Sequence, residues 1–389
     1  MIRLLHYAIV GLLALTFPTA GPTATDPAAA PPERELVAAV EAAWVDAGLP
    51  PPVYDPRISR AAARLLERAE GQDAKSLPDH WSGTVRFELL REEVRDTEVL
   101  PLVLEAGDLS GLGSRARWIL GSDLCPEGLN RYGFALDEGE GVVRLSLVLV
   151  RHLVDLGPLP MEPAPGHSQL FWGTLAPGLV DPRVLLSTPG GGLVEQVPSQ
   201  GGDLFWTRLY FPEEGIYTVE VMITGPRGPE TAALFEVYSG VPRPQLPTVR
   251  LCATDAGRRS GDPEEAILSM VNRERIRRAL PPLAVDERLR RCARGHSEAM
   301  ASMRRLAHLL PGASRADCPA VRQNIAMARS LCGAHQQLME SPSHRRNILD
   351  RDIRSCGVGV STVEVMPGVK LFYVTQEFPG GHAAAEVAP

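Results

Sequence analysis

The most specific stretch of this 389-residue chain reads Ser341-Pro342-Ser343-His344-Arg345-Arg346-Asn347-Ile348-Leu349. Serine followed by proline predicts a helix start, because serine accepts hydrogen bonds from free backbone N–H groups and proline loses nothing at the first helical position. His344 then falls within the first helical turn and faces whatever that end of the helix approaches. Acidic caps predict two earlier helices, beginning after Asp262 and after Asp286.

Further short segments surround this helix start in a fixed order. They are Pro282-Leu283-Ala284-Val285-Asp286-Glu287-Arg288-Leu289, His308 in a loop, Gln323-Asn324-Ile325-Ala326 and Gly357-Val358-Gly359. In order and spacing, from about Glu264 to Phe378, they resemble the bacterial CAP superfamily (cysteine-rich secretory proteins, antigen 5 and pathogenesis-related 1). The resemblance implies a CAP/SCP domain at residues 258–379, folded as an α-β-α sandwich with a central cleft.

The resemblance also implies which residues line that cleft. In the family, two histidines and two glutamates often hold a divalent metal there. Carried over, the histidines are His308 and His344, and Gln323 stands at the first glutamate position. The second glutamate should fall near Ser341. Glu340 is adjacent to it, but one step along a helix rotates a side chain by about 100°. Both family carboxylates are therefore predicted to be missing.

The chemistry of this residue set favours binding over catalysis. Zinc needs three or four nitrogen, oxygen or sulfur ligands, so His308 and His344 alone predict at most weak binding of zinc or another divalent metal. No other cofactor is expected. Ser341 and Ser343 are better explained as a helix cap and a first-turn residue than as nucleophiles. We therefore predict a non-catalytic binding protein, with a peptidase-like hydrolase that uses the two histidines as the alternative.

Charge is unevenly distributed along the chain. The net charge is −7, yet residues 258–379 carry 20 Lys+Arg against 13 Asp+Glu. A basic domain suits either an acidic companion domain or an anionic cell-envelope polymer. Nucleic acid is not expected as a partner, since no groove-reading motif is present. The expected partner is an unidentified envelope component, lipid or protein.

The N-terminus has the pattern of an export signal. Arg3 supplies a positive charge, residues 7–17 form a short apolar run, and small residues with proline follow. The run is too short to span a bilayer comfortably. We predict a signal peptide at residues 1–24 and a periplasmic, cell-surface or extracellular location, with an uncleaved membrane anchor as the alternative. No transmembrane span is expected after cleavage.

The cysteines are predicted to form disulfides, as is usual in exported proteins. There are six, and none forms a C-x-x-C pair: Cys125, Cys252, Cys292, Cys318, Cys332 and Cys356. Six cysteines allow 15 pairings. We favour Cys318 with Cys332, because their short separation would staple one loop.

The N-terminal part of the chain repeats the C-terminal pattern. Residues 49–58 match residues 280–289 at an offset of 231, with Leu, Pro, Pro, Asp and Arg in common. Residues 132–136 likewise resemble residues 356–360. This predicts a degenerate CAP-like α+β domain at residues 33–156. Chance similarity of two helix starts is the alternative.

The middle of the chain has the sequence pattern of short strands separated by turns. Turns at residues 189–192 and 225–229 separate short strands, and residues 218–223 alternate polar with apolar side chains. Glu214-Gly215-Ile216-Tyr217-Thr218-Val219 resembles a strand start of immunoglobulin-like domains. We predict an immunoglobulin-like β-sandwich at residues 165–240 that spaces or docks other domains, followed by a stiff linker at residues 241–257. The whole chain is thus predicted to be of the α+β class.

Overall fold

A computed structural model gives the fold of much of the chain. It describes residues 37–38, 41–42, 44–46, 51–69, 81–108, 111–116, 128–139, 141–246, 261–310, 318, 321–366 and 369–380. The chain divides into one unit of residues 1–152 with 246–249 and a second of residues 153–245 with 250–389. The predicted signal peptide at residues 1–24 and most of the predicted linker lie outside the described residues. The predicted mixed α+β class is confirmed.

Among the described residues of the first unit, positions 37–38, 41–42, 44–46 and 111–116 are helical. The other elements of this unit are two longer helices and a four-stranded sheet. They are β1 (Val53–Tyr54), α1 (Pro56–Ala69), α2 (Trp81–Arg91), β2 (Val99–Ala106), β3 (Arg131–Gly139) and β4 (Val142–Val150). The strand order is β1-β3-β4-β2, and only β1 pairs in parallel. α1 begins where expected, because Asp55 accepts a hydrogen bond from the Arg57 N–H at 2.9 Å. Its apolar face packs against α2 and the sheet.

The second unit begins with two four-stranded antiparallel sheets. Their strands are β5 (Val154–Leu156), β6 (His167–Leu175), β7 (Val180–Ser187), β8 (Leu193–Gln196), β9 (Ser199–Gly201), β10 (Leu204–Phe211), β11 (Gly215–Gly225) and β12 (Gly228–Ser239). The orders are β5-β6-β10-β9 and β12-β11-β7-β8. Phe171 of β6 packs against Phe235 of β12 with 6.3 Å between ring centroids, which joins the inner faces of the two sheets. We call this pair of sheets the β-sandwich.

The start of the β-sandwich differs from the predicted boundary. β5 pairs with β6 through Val154, Asp155 and Leu156. Residues 154–156 therefore belong to the β-sandwich rather than to the N-terminal domain, in which they were expected. The second compact unit begins at Leu153, which agrees with this strand pairing.

The C-terminal domain follows within the same unit. Its elements are α3 (Pro263–Ile276), β13 (Ala284–Val285), α4 (Glu287–Met303), β14 (Val321–Ala328), α5 (Leu331–Glu340), α6 (Pro342–Ile348), β15 (Ser355–Met366) and β16 (Val369–Pro379). The strand order is β13-β15-β16-β14, and β13 pairs in parallel with β15. Apolar residues of α3, α5 and α6 form one core with the strands, including Val358. α4 lies against the glycines of β15, on the side opposite to Val358.

The glycines of β15 allow α4 to pack directly on the strand backbone. A Cβ atom at Gly357 would lie 2.1 Å from the carbonyl carbon of Leu289, and one at Gly359 would lie 2.2 Å from that of Ala293. In the first unit, a Cβ at Gly133 would lie 2.3 Å from the Ser59 nitrogen. Both sheets therefore place a glycine where a helix backbone touches a strand.

The cysteine predictions need correction. Cys292 of α4 is bonded to Cys318, with 5.9 Å between their Cα atoms, so the predicted Cys318–Cys332 pair is wrong. Cys332 is disulfide-bonded as well. Cys356 is instead a buried free thiol on the core side of β15, and burial raises its pKa to about 12. Separation along the chain misled the prediction, because Cys318 lies next to Cys292 of α4 in the folded protein.

Within the described ranges, none of the helices combines the length and the apolar character needed to cross a membrane.

Candidate functional site

One end of the candidate site is a chain of three side chains. His308 lies in the loop after α4, and its Nδ1 is 2.7 Å from Oε1 of Gln323 on β14. Gln323 Nε2 donates to Oε1 of Glu377 on β16 at 2.8 Å. Residues 323 and 377 are direct partners in the ladder, and Glu377 is fully buried. The predicted neighbours His308 and Gln323 are therefore brought together.

The carboxylate of Glu377 orients this chain. Because the Gln323 NH₂ donates to Glu377, the amide oxygen of Gln323 faces His308. That oxygen accepts a hydrogen bond from His308 Nδ1, so Nε2 is the acceptor nitrogen when the ring is neutral. Gln323 thus fixes the tautomer of His308 but brings no negative charge to it.

The other end of the site is the start of α6. Ser341 Oγ accepts a hydrogen bond from the His344 N–H at 3.3 Å, as the capping pattern predicted. The carbonyl oxygen of His344 accepts a hydrogen bond from Asn324 Nδ2 at 3.1 Å. Burial lowers the pKa of His344 to about 4, because the charged ring loses its hydration. His344 is therefore neutral at pH 7.

A carboxylate does reach Ser341, but it comes from the β-sandwich. Glu220 of β11 accepts from Ser341 Oγ at 2.7 Å and from the Ser343 backbone N–H at 2.7 Å. Thr231 of β12 donates to the same carboxylate at 2.9 Å. Glu220 is fully buried. This role could not be predicted from the sequence, because Glu220 occupies a polar position of an alternating strand, where a solvent-facing side chain is expected.

The contact around Glu220 extends across one face of the β-sandwich. Arg345 Nη2 donates to Ser187 Oγ at 2.5 Å, and Arg346 Nη1 to a carboxylate oxygen of Glu195 at 2.6 Å. The Leu309 N–H donates to the carbonyl of Arg227 at 3.0 Å, next to His308. The sheet β12-β11-β7-β8 therefore meets the C-terminal domain both at the start of α6 and at the His308 loop.

The remaining candidates have structural settings. Glu340 is the last residue of α5 and is partly buried. His296 of α4 is buried in the core, and its Nε2 lies 3.0 Å from the Ala307 carbonyl oxygen. Sequence reasoning missed His335 of α5, which is buried and whose pKa burial lowers to about 4.

These side chains do not fit a zinc centre. Among the described residues, no three His, Cys, Asp or Glu side chains are grouped so that they could hold a metal ion. Nδ1 of His308 is engaged by Gln323, whose amide carries no charge. The two nearby carboxylates, Glu220 and Glu377, accept hydrogen bonds from neutral donors.

Removing the Glu220 carboxylate is expected to loosen the β-sandwich from α6. In Glu220→Ala, the buried donors of Ser341, Ser343 and Thr231 lose their acceptor, at a cost of about 3 kcal/mol. Thermal unfolding and limited proteolysis of the full chain would show a lower midpoint and faster cleavage. Glu214→Ala, an exposed substitution on the same β-sandwich, is the matched control. Equal unfolding midpoints and cleavage rates for the two variants would contradict a stabilising role for the contact between Glu220 and the start of α6.

Comparison with known families places the C-terminal domain. The sequence model of the cysteine-rich secretory protein family, CAP, matches residues 268–378. The match covers less than a third of the chain and spans His308, Gln323, Ser341 and His344. Among curated proteins, none matches this sequence.

The solved structures that match this chain include bacterial proteins described as outer-surface, extracellular or secretory. An outer surface protein of Borrelia burgdorferi is 17% identical, covering 31% of this chain and 95% of that chain, with a TM-score of 0.26. An extracellular SCP-domain protein of Bacillus anthracis is 17% identical, covering 43% of this chain and 65% of that one, just under two thirds, with a TM-score of 0.26. A cysteine-rich secretory protein of Staphylococcus aureus is 12% identical, with coverages of 54% and 77% and a TM-score of 0.22. The family assignment rests on the sequence match alone.

Proposed function

Because residues 268–378 form a CAP domain, we propose that this chain is an exported binding or interaction protein of the cell envelope or extracellular space. In this proposal the CAP domain has no catalytic role. The observation that carries it is the position of the acidic groups. Gln323 replaces the carboxylate beside His308, and the carboxylate beside Ser341 is Glu220, which is buried in a domain contact.

The protonation states support a non-catalytic domain. General acid–base catalysis needs a group that titrates near the working pH. Burial lowers the pKa of His344 to about 4, so this ring is uncharged at neutrality and is not an imidazolium acid. The hydroxyl of Ser341 points to Glu220, as does that of Ser343 at 3.1 Å, so each is engaged in the domain contact.

Export is supported by chemistry within the chain. The Cys292–Cys318 disulfide suits an oxidising compartment, and the charged and apolar pattern of residues 1–24 suits a signal peptide. The partner in this proposal is an envelope component, a lipid or a protein.

The first unit is proposed to be a degenerate, duplicated copy of the CAP domain. Its strand order β1-β3-β4-β2 repeats the order β13-β15-β16-β14 with the same parallel pair. The capping residues Asp55 and Asp286 are 231 positions apart, as are Ser59 and Arg290, whose nitrogens approach Gly133 and Gly357. The shared backbone contacts support duplication over chance and a structural or binding role for this unit.

Zinc titration tests the proposal directly. We expect the full chain to bind zinc more weakly than micromolar, because the site lacks a carboxylate ligand. Gln323→Glu is expected to tighten binding at least tenfold by placing a carboxylate beside His308. Gln337→Glu, which adds the same charge on α5, is the control and should change nothing. Zinc binding tighter than micromolar that disappears in His344→Ala would overturn the proposal.

The hydrolase alternative has a separate test. The fixed tautomer of His308 is the feature that favours it, since Nε2 is then an acceptor. A screen of peptide and ester substrates should find no turnover by the full chain. Turnover that disappears in both His308→Ala and His344→Ala would replace the binding role with catalysis.

A further inference from the structure

We propose that the outer face of the sheet β5-β6-β10-β9 is a binding platform for a neutral polysaccharide of β-linked sugar rings. This inference concerns the β-sandwich and does not depend on the role of the CAP cleft. The face lies on the opposite side of the β-sandwich from the sheet that carries Glu220. Within the second unit, the CAP domain occupies the other side of the β-sandwich.

The outward positions of β6 and β10 carry large apolar side chains. Five of them are exposed, namely Leu170, Trp172, Leu204, Trp206 and Tyr210. Side chains of this size are seldom left together on a surface unless a partner covers them. Of the eight outward positions on the two strands, Arg208 alone is charged.

The two tryptophans lie flat rather than stacked on each other. Trp172 and Trp206 are direct partners across the ladder, so both side chains leave the same face. The indole of Trp172 covers Gly157, where a Cβ would lie 2.2 Å from its Cε2. The indole of Trp206 covers Gly201, where a Cβ would lie 3.5 Å from its Cη2. The rings thus turn toward opposite edges of the sheet.

This arrangement creates two exposed aromatic plates. Glycine provides the space beneath each ring, and the other side of the ring faces solvent, with 39% of Trp172 and 37% of Trp206 exposed. The edge strands β5 and β9 are three strand spacings apart, roughly 14 Å. Tyr210, which is 53% exposed, adds a third ring further along β10.

A sugar chain matches these plates in shape and in polarity. One face of a β-linked pyranose ring presents C–H groups, which are attracted to the negative face of an aromatic ring. Its rim carries hydroxyl groups, and the platform offers hydroxyl and guanidinium partners at Ser168, Thr174 and Arg208. An extended chain can lie flat across both tryptophans.

Other partners fit the face less well. A strongly anionic partner would need more than the single charge of Arg208. Strand addition is limited because the edge strands β5 and β9 have only three residues each. A membrane surface needs apolar side chains without the interleaved hydroxyls, and it is kept as an outcome of the test.

The test uses the full chain with defined probes. We expect it to be retained by microcrystalline cellulose or chitin, and the matching soluble hexasaccharide should shift its tryptophan fluorescence. Trp172→Ala and Trp206→Ala are each expected to weaken binding at least tenfold, and the double variant should not bind. Ile216→Ala, an exposed apolar substitution on the other sheet, is the control and should bind normally.

A second variant separates ring position from ring presence. Gly157→Val leaves Trp172 in the chain but pushes its indole off the sheet, and it should weaken binding as Trp172→Ala does. Thermal unfolding of each variant verifies folding. Absence of binding to both polysaccharides, undiminished binding by the double variant, or binding only to phosphatidylcholine vesicles would each overturn the proposal.

Discussion

Replacing Gly357 by alanine is expected to destabilise the CAP domain by about 3 kcal/mol or more. The added methyl group would lie 2.1 Å from the Leu289 carbonyl carbon and 2.3 Å from the Arg290 nitrogen. Both are backbone atoms of α4, so no side chain can move aside, and the helix must leave the strand. We expect a clear fall in the thermal midpoint of the full chain, with loss of near-ultraviolet circular dichroism.

The same helix supplies a matched control for Gly357→Ala. Gly295 lies on the exposed side of α4, and a Cβ there meets no atom within 4 Å. Gly295→Ala should therefore raise stability by up to about 1 kcal/mol, because alanine favours the helix. Opposite signs for the two substitutions are the expected result. A Gly357→Ala protein as stable as Gly295→Ala would contradict the close approach of α4 to β15.

Acid is expected to destabilise the CAP domain well before its carboxylates titrate. Burial lowers the pKa of both His335 and His344 from 6.5 to about 4. The unfolded chain thus takes up protons at a higher pH than the folded chain does. Stability is complete above pH 6.5 and is lost as the pH falls from 6.5 toward 4, by up to about 3 kcal/mol for each histidine.

Urea unfolding midpoints at pH 7, 5.5 and 4.5 measure this effect. The midpoint of the full chain should fall steeply with pH, and His335→Gln should remove about half of the slope. Gln337→Ala, on the same helix, removes no titrating group and should keep the full slope. A midpoint that does not change between pH 7 and 4.5 would contradict a lowered pKa for both histidines.

Local features of the fold were readable from the sequence. The helix starts at Asp55, Asp286 and Ser341 follow from capping, which involves groups only two or three residues apart. The pairing of His308 with Gln323 could be expected as well, but only through resemblance to a family. Spacing alone does not place two residues of a loop and a strand next to each other.

The cysteines and the acidic groups were much less predictable. Cys292 and Cys318 are 26 residues apart and meet only in the folded protein, and the sequence allowed many other pairings. Glu377 approaches Gln323 through the register of β14 with β16, which is a property of the folded sheet. Neither contact can be predicted from the residues that neighbour it along the chain.

The sequence by itself determined the helix caps at Asp286 and Ser341 and the short motifs of the CAP domain. Each of these features is local, because it involves residues that lie close together along the chain. Only the tertiary structure decided which carboxylate reaches Ser341. Glu220 and Ser341 are 121 residues apart, and their contact exists because one sheet of the β-sandwich docks on the CAP domain. The residues of the cleft are therefore recognisable from short motifs, whereas the carboxylate beside Ser341 comes from another domain.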